Sequence, residues 1–226
     1  MKNLVWLVVL LFVSQTTNAQ DEKISQDLLS FSEIKVFDGL SVNLIKSSEN
    51  KAVITGANTK NVAVVNNEGV LKIRMQVTKL FSGYRTFVDL YYTDKLIVID
   101  VNEDARITSE EVIKQDVLEL KAQEGGELSI NTEVEQLLIK TVTGGVIETF
   151  GTADLQDVAI NTGGIYKGKE MITKFSTINV NAGSKAEIHA TDYVKATVKA
   201  GGEVLVFGDP EKMDEKTVFG GIITRM

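Results

Sequence analysis

A chain of 226 residues, 43% of them hydrophobic, is long enough to bury one sizeable core, and its single proline and absent cysteines exclude a Pro-rich linker and disulfide staples. Its formal charge of −7, with no Lys/Arg cluster interleaved with aromatics, excludes nucleic acid and anionic lipid surfaces as natural partners. Thr, Val and Ile are plentiful and no run of helical periodicity stands out, so the expected class is all-β.

At the amino end, Met1, Lys2 and Asn3 precede an apolar run at residues 4–13, and Thr17, Asn18 and Ala19 form a small-x-small cleavage pattern. The stretch 1–19 reads as a secretory signal peptide cut after Ala19. A membrane anchor would need roughly 18 or more apolar residues, so no stable membrane insertion is expected after cleavage. Loss of Lys2 with the leader takes the charge from −7 to −8. The product is expected to be exported, residing in the periplasm, at the cell surface or outside the cell. Residues 20–30 read as a short, flexible lead-in.

From residue 31, strand-like runs follow at 33–37, 40–46, 52–55, 62–65, 70–77, 86–92 and 96–101. Turn residues separate them, among them Asp38 with Gly39 and Asn66 through to Gly69. Their spacing is irregular, which suits either wider coils or an antiparallel layer covering the end of a larger sheet. Between the fifth and sixth runs lies the most aromatic loop of the exported chain, with Phe81, Tyr84, Arg85 and Phe87 around Ser82 and Gly83. Tyr and Arg on a loop suit partner contact, but ordinary packing over the end of the fold is the expected role.

Residues 104–226 carry a repeat. Glycine pairs stand at Gly125 and Gly126, Gly144 and Gly145, Gly163 and Gly164, Gly201 and Gly202, and Gly220 and Gly221, with Gly183 followed by Ser184 in the fourth repeat. Steps between the first glycines are 19, 19, 20, 18 and 19 residues, too regular for accident and too short for a unit containing a helix. Five residues before the first glycine stand Leu120, Ile139, Val158, Ile178 and Ala196, with Glu215 as the exception. Three before it stand Ala122, Thr141, Ile160, Val180, Val198 and Thr217, and two after each pair Leu128, Ile147, Tyr166, Ala186, Val204 and Ile223. These columns alternate with polar ones, which is the pleat of a strand.

Local rules read Gly-Gly between alternating runs as a hairpin. The repeat register argues instead for like residues stacked coil upon coil in parallel ladders, a right-handed β-solenoid with two main strands per coil and a polar corner at 132–136 and its equivalents. At about 4.8 Å per coil, six coils extend about 29 Å. A degenerate first coil is expected at 104–112.

The order of segments resembles the head GIN domain family of auto-transporter adhesins, common in secreted proteins of Bacteroidetes. The resemblance rests on Phe31, Ser32, Glu33 and Ile34 opening the domain, Leu71, Lys72 and Ile73, the glycine turns, and Val206, Phe207, Gly208, Asp209 and Pro210. It covers residues 31–226 as a single domain and implies a right-handed β-helical fold and an adhesion role. Ser184 and Phe207 depart from the family pattern, and the family lends no catalytic residue.

The residues themselves declare no reaction. His189 is the only histidine and is expected on the outer surface; with no cysteine, a zinc site is not expected. No nucleophile elbow or triad is visible. Asp154, Asp157, Glu170, Asp192, Asp209, Glu211, Asp214 and Glu215 form no repeated column, and the 100–104 stretch lacks the central glycine of a calcium loop. Asn161 and Asn181 are candidates for a short outward ladder. No cofactor, metal or catalytic residue is assigned. The reading is a non-enzymatic interaction or adhesion module for an unknown glycan or protein partner. The alternative is a carbohydrate-active lyase or hydrolase, which would show a groove with converging carboxylates and a basic residue.

Overall fold

The computed structural model describes residues 23–226, so the leader read at residues 1–19 lies outside it. Sixteen strands join in one sheet that winds on itself. They are β1 (Ile24–Asp27), β2 (Glu33–Val36), β3 (Ser41–Lys46), β4 (Lys51–Gly56), β5 (Val62–Asn67), β6 (Val70–Met75), β7 (Thr86–Tyr92) and β8 (Val98–Val101). The long strands follow as β9 (Arg106–Ala122), β10 (Glu127–Thr141), β11 (Val146–Ile160), β12 (Ile165–Val180) and β13 (Lys185–Lys199), then β14 (Glu203–Phe207), β15 (Lys212–Val218) and β16 (Ile222–Arg225).

Register decides between coil and meander. Glu127 pairs in parallel with Val146, Val146 with Ile165, Ile165 with Lys185, Lys185 with Glu203 and Glu203 with Ile222. The glycine turns therefore close coils of a β-solenoid. The expected inward columns are inward: Leu120, Ile139, Val158, Ile178 and Ala196 are buried, as are Leu128, Ile147, Tyr166, Ala186 and Val204. Each coil has a first face after its glycine turn and a second face before the next.

The expected polar corner at 132–136 is absent as a loop. In β10 the strand continues through it, with Thr132 and Val134 buried and still paired to the next coil. Alternation slips once, at Glu135 and Gln136, where the ribbon bends from first to second face. Thr132 holds this bend by donating its hydroxyl to the carbonyl of Ile113 at 2.8 Å. The irregular steps of 20 and 18 are absorbed by register shifts within the coils, between Glu148 and Gly151 where β11 pairs with β12, and between Gly168 and Ile172 and between Thr173 and Phe175 where β12 pairs with β13.

The glycine turn itself is displaced by one residue from the hairpin reading. Positive φ falls on the residue before the pair and on the first glycine, as at Thr143 (49°) and Gly144 (72°), and Gly145 N–H closes the turn on Val142 O at 3.0 Å. Two positive φ values with an i to i+3 bond define a type I′ turn. The second glycine answers a different demand: a Cβ on Gly145 would lie 2.2 Å from Ala122 O of the preceding coil. Ser184 at the equivalent place is buried and donates its hydroxyl to Asn181 O at 2.6 Å, which reinforces its own turn.

The amino-terminal strands add coils out of chain order. β2 pairs with β8 on the second face and β3 with β9 on the first, so that coil lies directly beneath residues 98–108. Beneath it again, β6 pairs with β2 and β7 with β3, both in parallel. Antiparallel strands then cover this end: β5 on β6, β4 on β7 and β1 on β4. β5 and β6 form a true hairpin through Glu68 and Gly69, both at positive φ. Ile24–Asp27, expected within a flexible lead-in, is thus an edge strand, and its alternation was too short to register as a pattern.

At the other end, Glu215 and Thr217 occupy inward columns of the last coil and are exposed, with Arg225 3.3 Å from the Glu215 carboxylate. A charge where a further coil would stack opposes continuation of the sheet.

Two outcomes follow. Gly145→Ala is expected to destabilise by at least the ~1–3 kcal/mol of an overpacked site, whereas Gly144→Ala, whose Cβ meets nothing within 4 Å, costs only the ~1–2 kcal/mol of a left-handed alanine. Lys140→Ala serves as the mild outward control. Urea melts giving equal midpoints for the two glycine variants would refute this division of labour. Among the described residues Thr141 Oγ1 is buried without a hydrogen-bond partner, so Thr141→Val is expected to stabilise by about 1 kcal/mol, a rise in Tm of roughly 2–4 °C.

Candidate interaction surface

The corner turns stack into a column. Gly83 N–H bonds to Asp38 O, Gly39 N–H to Glu103 O, Asp104 N–H to Glu124 O and Gly125 N–H to Thr143 O, and the series runs on to Gly201 N–H with Phe219 O at 3.1 Å. One corner is enlarged. Between β6 and β7 the chain makes the loop that carries Phe81, Tyr84 and Arg85.

Asp38 holds this loop. Its carboxylate is buried and accepts Met75 N–H at 3.0 Å and Phe81 N–H at 3.1 Å. Gly83 fits only as glycine, because a Cβ there would meet Asp38 O at 2.3 Å. Contrary to the packing role expected for it, the loop stands out from the corner. Phe81 is 60% exposed, Tyr84 53% and Leu80 47%, with Val77 and Phe87 exposed beside them. Tyr84 rests one side of its ring on Gly39, whose added Cβ would be 3.1 Å from it, and donates its hydroxyl to Asp104 Oδ2 at 2.9 Å. That acceptor holds the Tyr84 phenol above its usual pKa.

Behind the loop is an open cleft of about 330 Å³ lined by Asp38, Glu103, Lys72, Arg74 and Leu80. Two carboxylates and two bases do converge here, the arrangement named above as the mark of an enzyme. Both Asp38 oxygens, however, are engaged by backbone N–H groups, so this carboxylate serves as a structural cap. Burial raises the Glu103 carboxyl pKa, and the Asp38 and Glu124 charges raise it further. Sequence reading assigned Asp38 and Gly39 to a turn but missed the cap, because the bonded N–H groups lie far along the chain.

The other candidates are dispersed. Asp154 pairs with Lys174 at 2.7 Å, Glu215 with Arg225, and Asp214 accepts the Tyr193 hydroxyl at 2.6 Å. Asp192 accepts from Thr191, and Asp157 from Gln136. Among the described residues no group of three or more His, Asp or Glu is placed to hold a metal ion. Asp100 is buried against Lys35 and Asn102, a structural arrangement. His189 points outward but is half-buried, with Nδ1 3.1 Å from Lys169 O and its ring against Gly208. Asn181 accepts the N–H of its neighbour Ala182, so its side chain serves its own corner and no ladder with Asn161 is made.

A second exposed stripe runs along the second face, where Val117, Gln136, Leu155, Phe175 and Tyr193 stack in register. Val117, Leu155 and Phe175 are each more than 40% exposed, and Lys212 lies over the Tyr193 ring at 5.6 Å.

Glu103 supplies a pH test. Its pKa is raised in the fold, so the folded chain binds its proton more readily than the unfolded chain, and stability is lost as pH rises from the unfolded to the folded value. Glu103→Gln is therefore expected to melt above the parent at pH 7, with the gap closing below the usual carboxylate range. A constant gap across that range would remove the electrostatic explanation.

No curated protein matches the chain. Its fold is similar to that of a "putative adhesin" from Bacteroides fragilis, at a TM-score of 0.78 and 16% identity over 91% of this chain and 97% of that one. A "putative adhesin" from Parabacteroides distasonis gives 0.74 at 18% identity over 92% and 98%. A "putative lipid binding protein" from the same species gives 0.70 at 15% identity, again over 92% and 98%. At these identities the likeness is one of fold. The family model described as "Putative auto-transporter adhesin, head GIN domain" matches residues 30–210, and with the parallel coils, corner turns and capped end it covers, the chain belongs to that family.

Proposed function

We propose that the protein is an exported, non-enzymatic adhesion module that presents a rigid solenoid surface to a partner outside the inner membrane. The observation that carries this reading is the corner loop. Leu80 and Phe81 stand exposed at its tip, while the Asp38 carboxylate anchors the loop through the Met75 and Phe81 N–H groups. A fixed, exposed apolar patch on a stiff scaffold suits recognition, because little freedom remains to be lost on binding. Family membership and the likeness to adhesin-described structures support the same reading. Among the described residues no helix is long and apolar enough to cross a membrane. The leader read at residues 1–19 accounts for export.

Beads coated with the exported chain are expected to be retained on epithelial-cell or mucin layers above albumin-coated beads. Leu80→Ser with Phe81→Ser is expected to lower retention about tenfold, a loss near 1.4 kcal/mol, with Tm unchanged. Incubation with polygalacturonate, with and without calcium, is expected to release no new reducing ends. Cleavage, or retention no better than albumin, overturns the reading.

A further inference from the structure

We propose that the corner beside Tyr84 and the groove leading from it along the first face form a binding site for an extended, neutral glycan. This rests on the adhesion reading and names its partner class. The corner holds an open cavity of about 380 Å³ walled by Tyr84, Arg85, Asp104, Arg106 and Glu127, within the ~300–1,000 Å³ range of small-ligand sites. Arg106 also borders two adjoining cavities, of about 240 and 230 Å³, on the first face. The three cavities share Arg106 and follow one another along β7, β3, β9, β10, β11 and β12.

Three features select the ligand. Tyr84 lies flat on Gly39 with its other side open, a platform whose electron-rich face suits the C–H face of a pyranose. Along the groove the charges nearly balance: Arg85, Arg106 and Lys167 stand against Asp89, Asp104, Glu127 and Glu148, an excess of one negative charge. A site with donors and acceptors and a slight negative excess suits hydroxyl groups better than a uronate or a phosphate. Arg106 is held by two contacts to the Glu127 carboxylate, at 3.2 and 3.3 Å, which fixes its remaining N–H groups toward the cavity. Among the described residues the Arg85 guanidinium has no partner, leaving its donors free.

The third feature is periodicity. Thr108, Ser129, Glu148 and Lys167 occupy one outward column on successive coils. Polar groups thus recur about every 4.8 Å along the groove, close to the length of one sugar in an extended chain. A polymer of like units can then repeat the same contacts coil by coil, gaining avidity from individually weak bonds.

The test is calorimetric titration of the exported chain with xylohexaose, mannohexaose, cellohexaose and, as the charged comparison, hexagalacturonate. At least one neutral hexaose is expected to bind, and hexagalacturonate about tenfold more weakly. Tyr84→Ala is expected to weaken binding about tenfold. Tyr84→Phe, which keeps the platform but loses the bond to Asp104, should stay near the parent. Arg85→Ala touches nothing that holds the fold and should weaken binding several-fold without moving Tm. Failure of all three neutral hexaoses to bind, tighter binding of hexagalacturonate, or parental affinity in both Tyr84→Ala and Arg85→Ala overturns the proposal. The bead assay separates the two readings. Retention that persists in excess hexaose leaves adhesion standing and removes the glycan site, whereas loss of retention by every coated bead removes the adhesion reading itself.

Discussion

The structure depends on one recurrent contact, the approach of the second glycine of the corner, at Gly126, Gly145 and Gly221, to the backbone of the coil beneath. At Gly145 that backbone is Ala122 O, at Gly126 it is Val101 O, and at Gly221 it is Val198 O; in each case a Cβ would be under 3 Å away. This closeness lets corner N–H groups reach the carbonyls of the next corner, so the parallel ladder does not stop where the chain reverses direction. A sheet whose hydrogen bonds continue around the corner has no lateral edge to protect, and only the two ends of the solenoid need covering. The amino end is covered by antiparallel strands, and the inner column at the carboxy end carries one charge, Glu215, paired with Arg225.

The interior shows what such a winding demands of polar side chains. Tyr166 is fully buried, and its hydroxyl meets Thr149 at 2.7 Å and Gln156 at 2.6 Å, while Gln156 also accepts from Ser176. Thr173 bonds to Ser176 and to the carbonyl of His189. The network lies where β12 carries its register shift, and its bonds satisfy groups that would otherwise be costly in an apolar core. Gly168 leaves room for the Tyr166 ring, 2.4 Å from where a Cβ would sit. On the outside, Glu119 illustrates coil-to-coil tethering: burial alone would raise its carboxyl pKa, but Lys140 on the next coil and Lys121 on its own outweigh that and hold it low.

Much of this was legible because it repeats. The columns headed by Leu120, Ala122 and Leu128 could be read from spacing alone, since burial at one coil predicts burial one period later. The coil-forming character of the turn came from the same arithmetic, although local chemistry favoured a hairpin. What stayed hidden carries no residue-type signal of its own. The bend at Glu135 and Gln136 carries no glycine or proline, because a strand can change face by a slip in alternation. The insertion of β2 and β3 between two coils contributed by later residues leaves no trace in spacing. The cap on the aromatic loop joins Asp38 to Phe81, and such long-range backbone bonds cannot be inferred from residue type. The loop was therefore expected to lie down on the fold, when in fact its base is held and its side chains are free.

That out-of-order winding connects fold to function. Had the chain wound in sequence, the coil of β2 and β3 would sit at the end, and the long corner would be enclosed between two parallel coils. Because β6 and β7 return beneath β2 and β3, the enlarged corner is stacked directly on the Asp38–Gly39 corner, and the next coil brings Asp104 within reach of the Tyr84 hydroxyl. Three coils from distant parts of the chain thus converge on one loop. Their contacts fix the tyrosine ring at the mouth of the first-face groove, and the regular coils beyond it extend the same pattern of outward groups. The irregular part of the molecule supplies the aromatic anchor and the periodic part supplies length, a division that suits recognition of a repeating partner better than of a compact one.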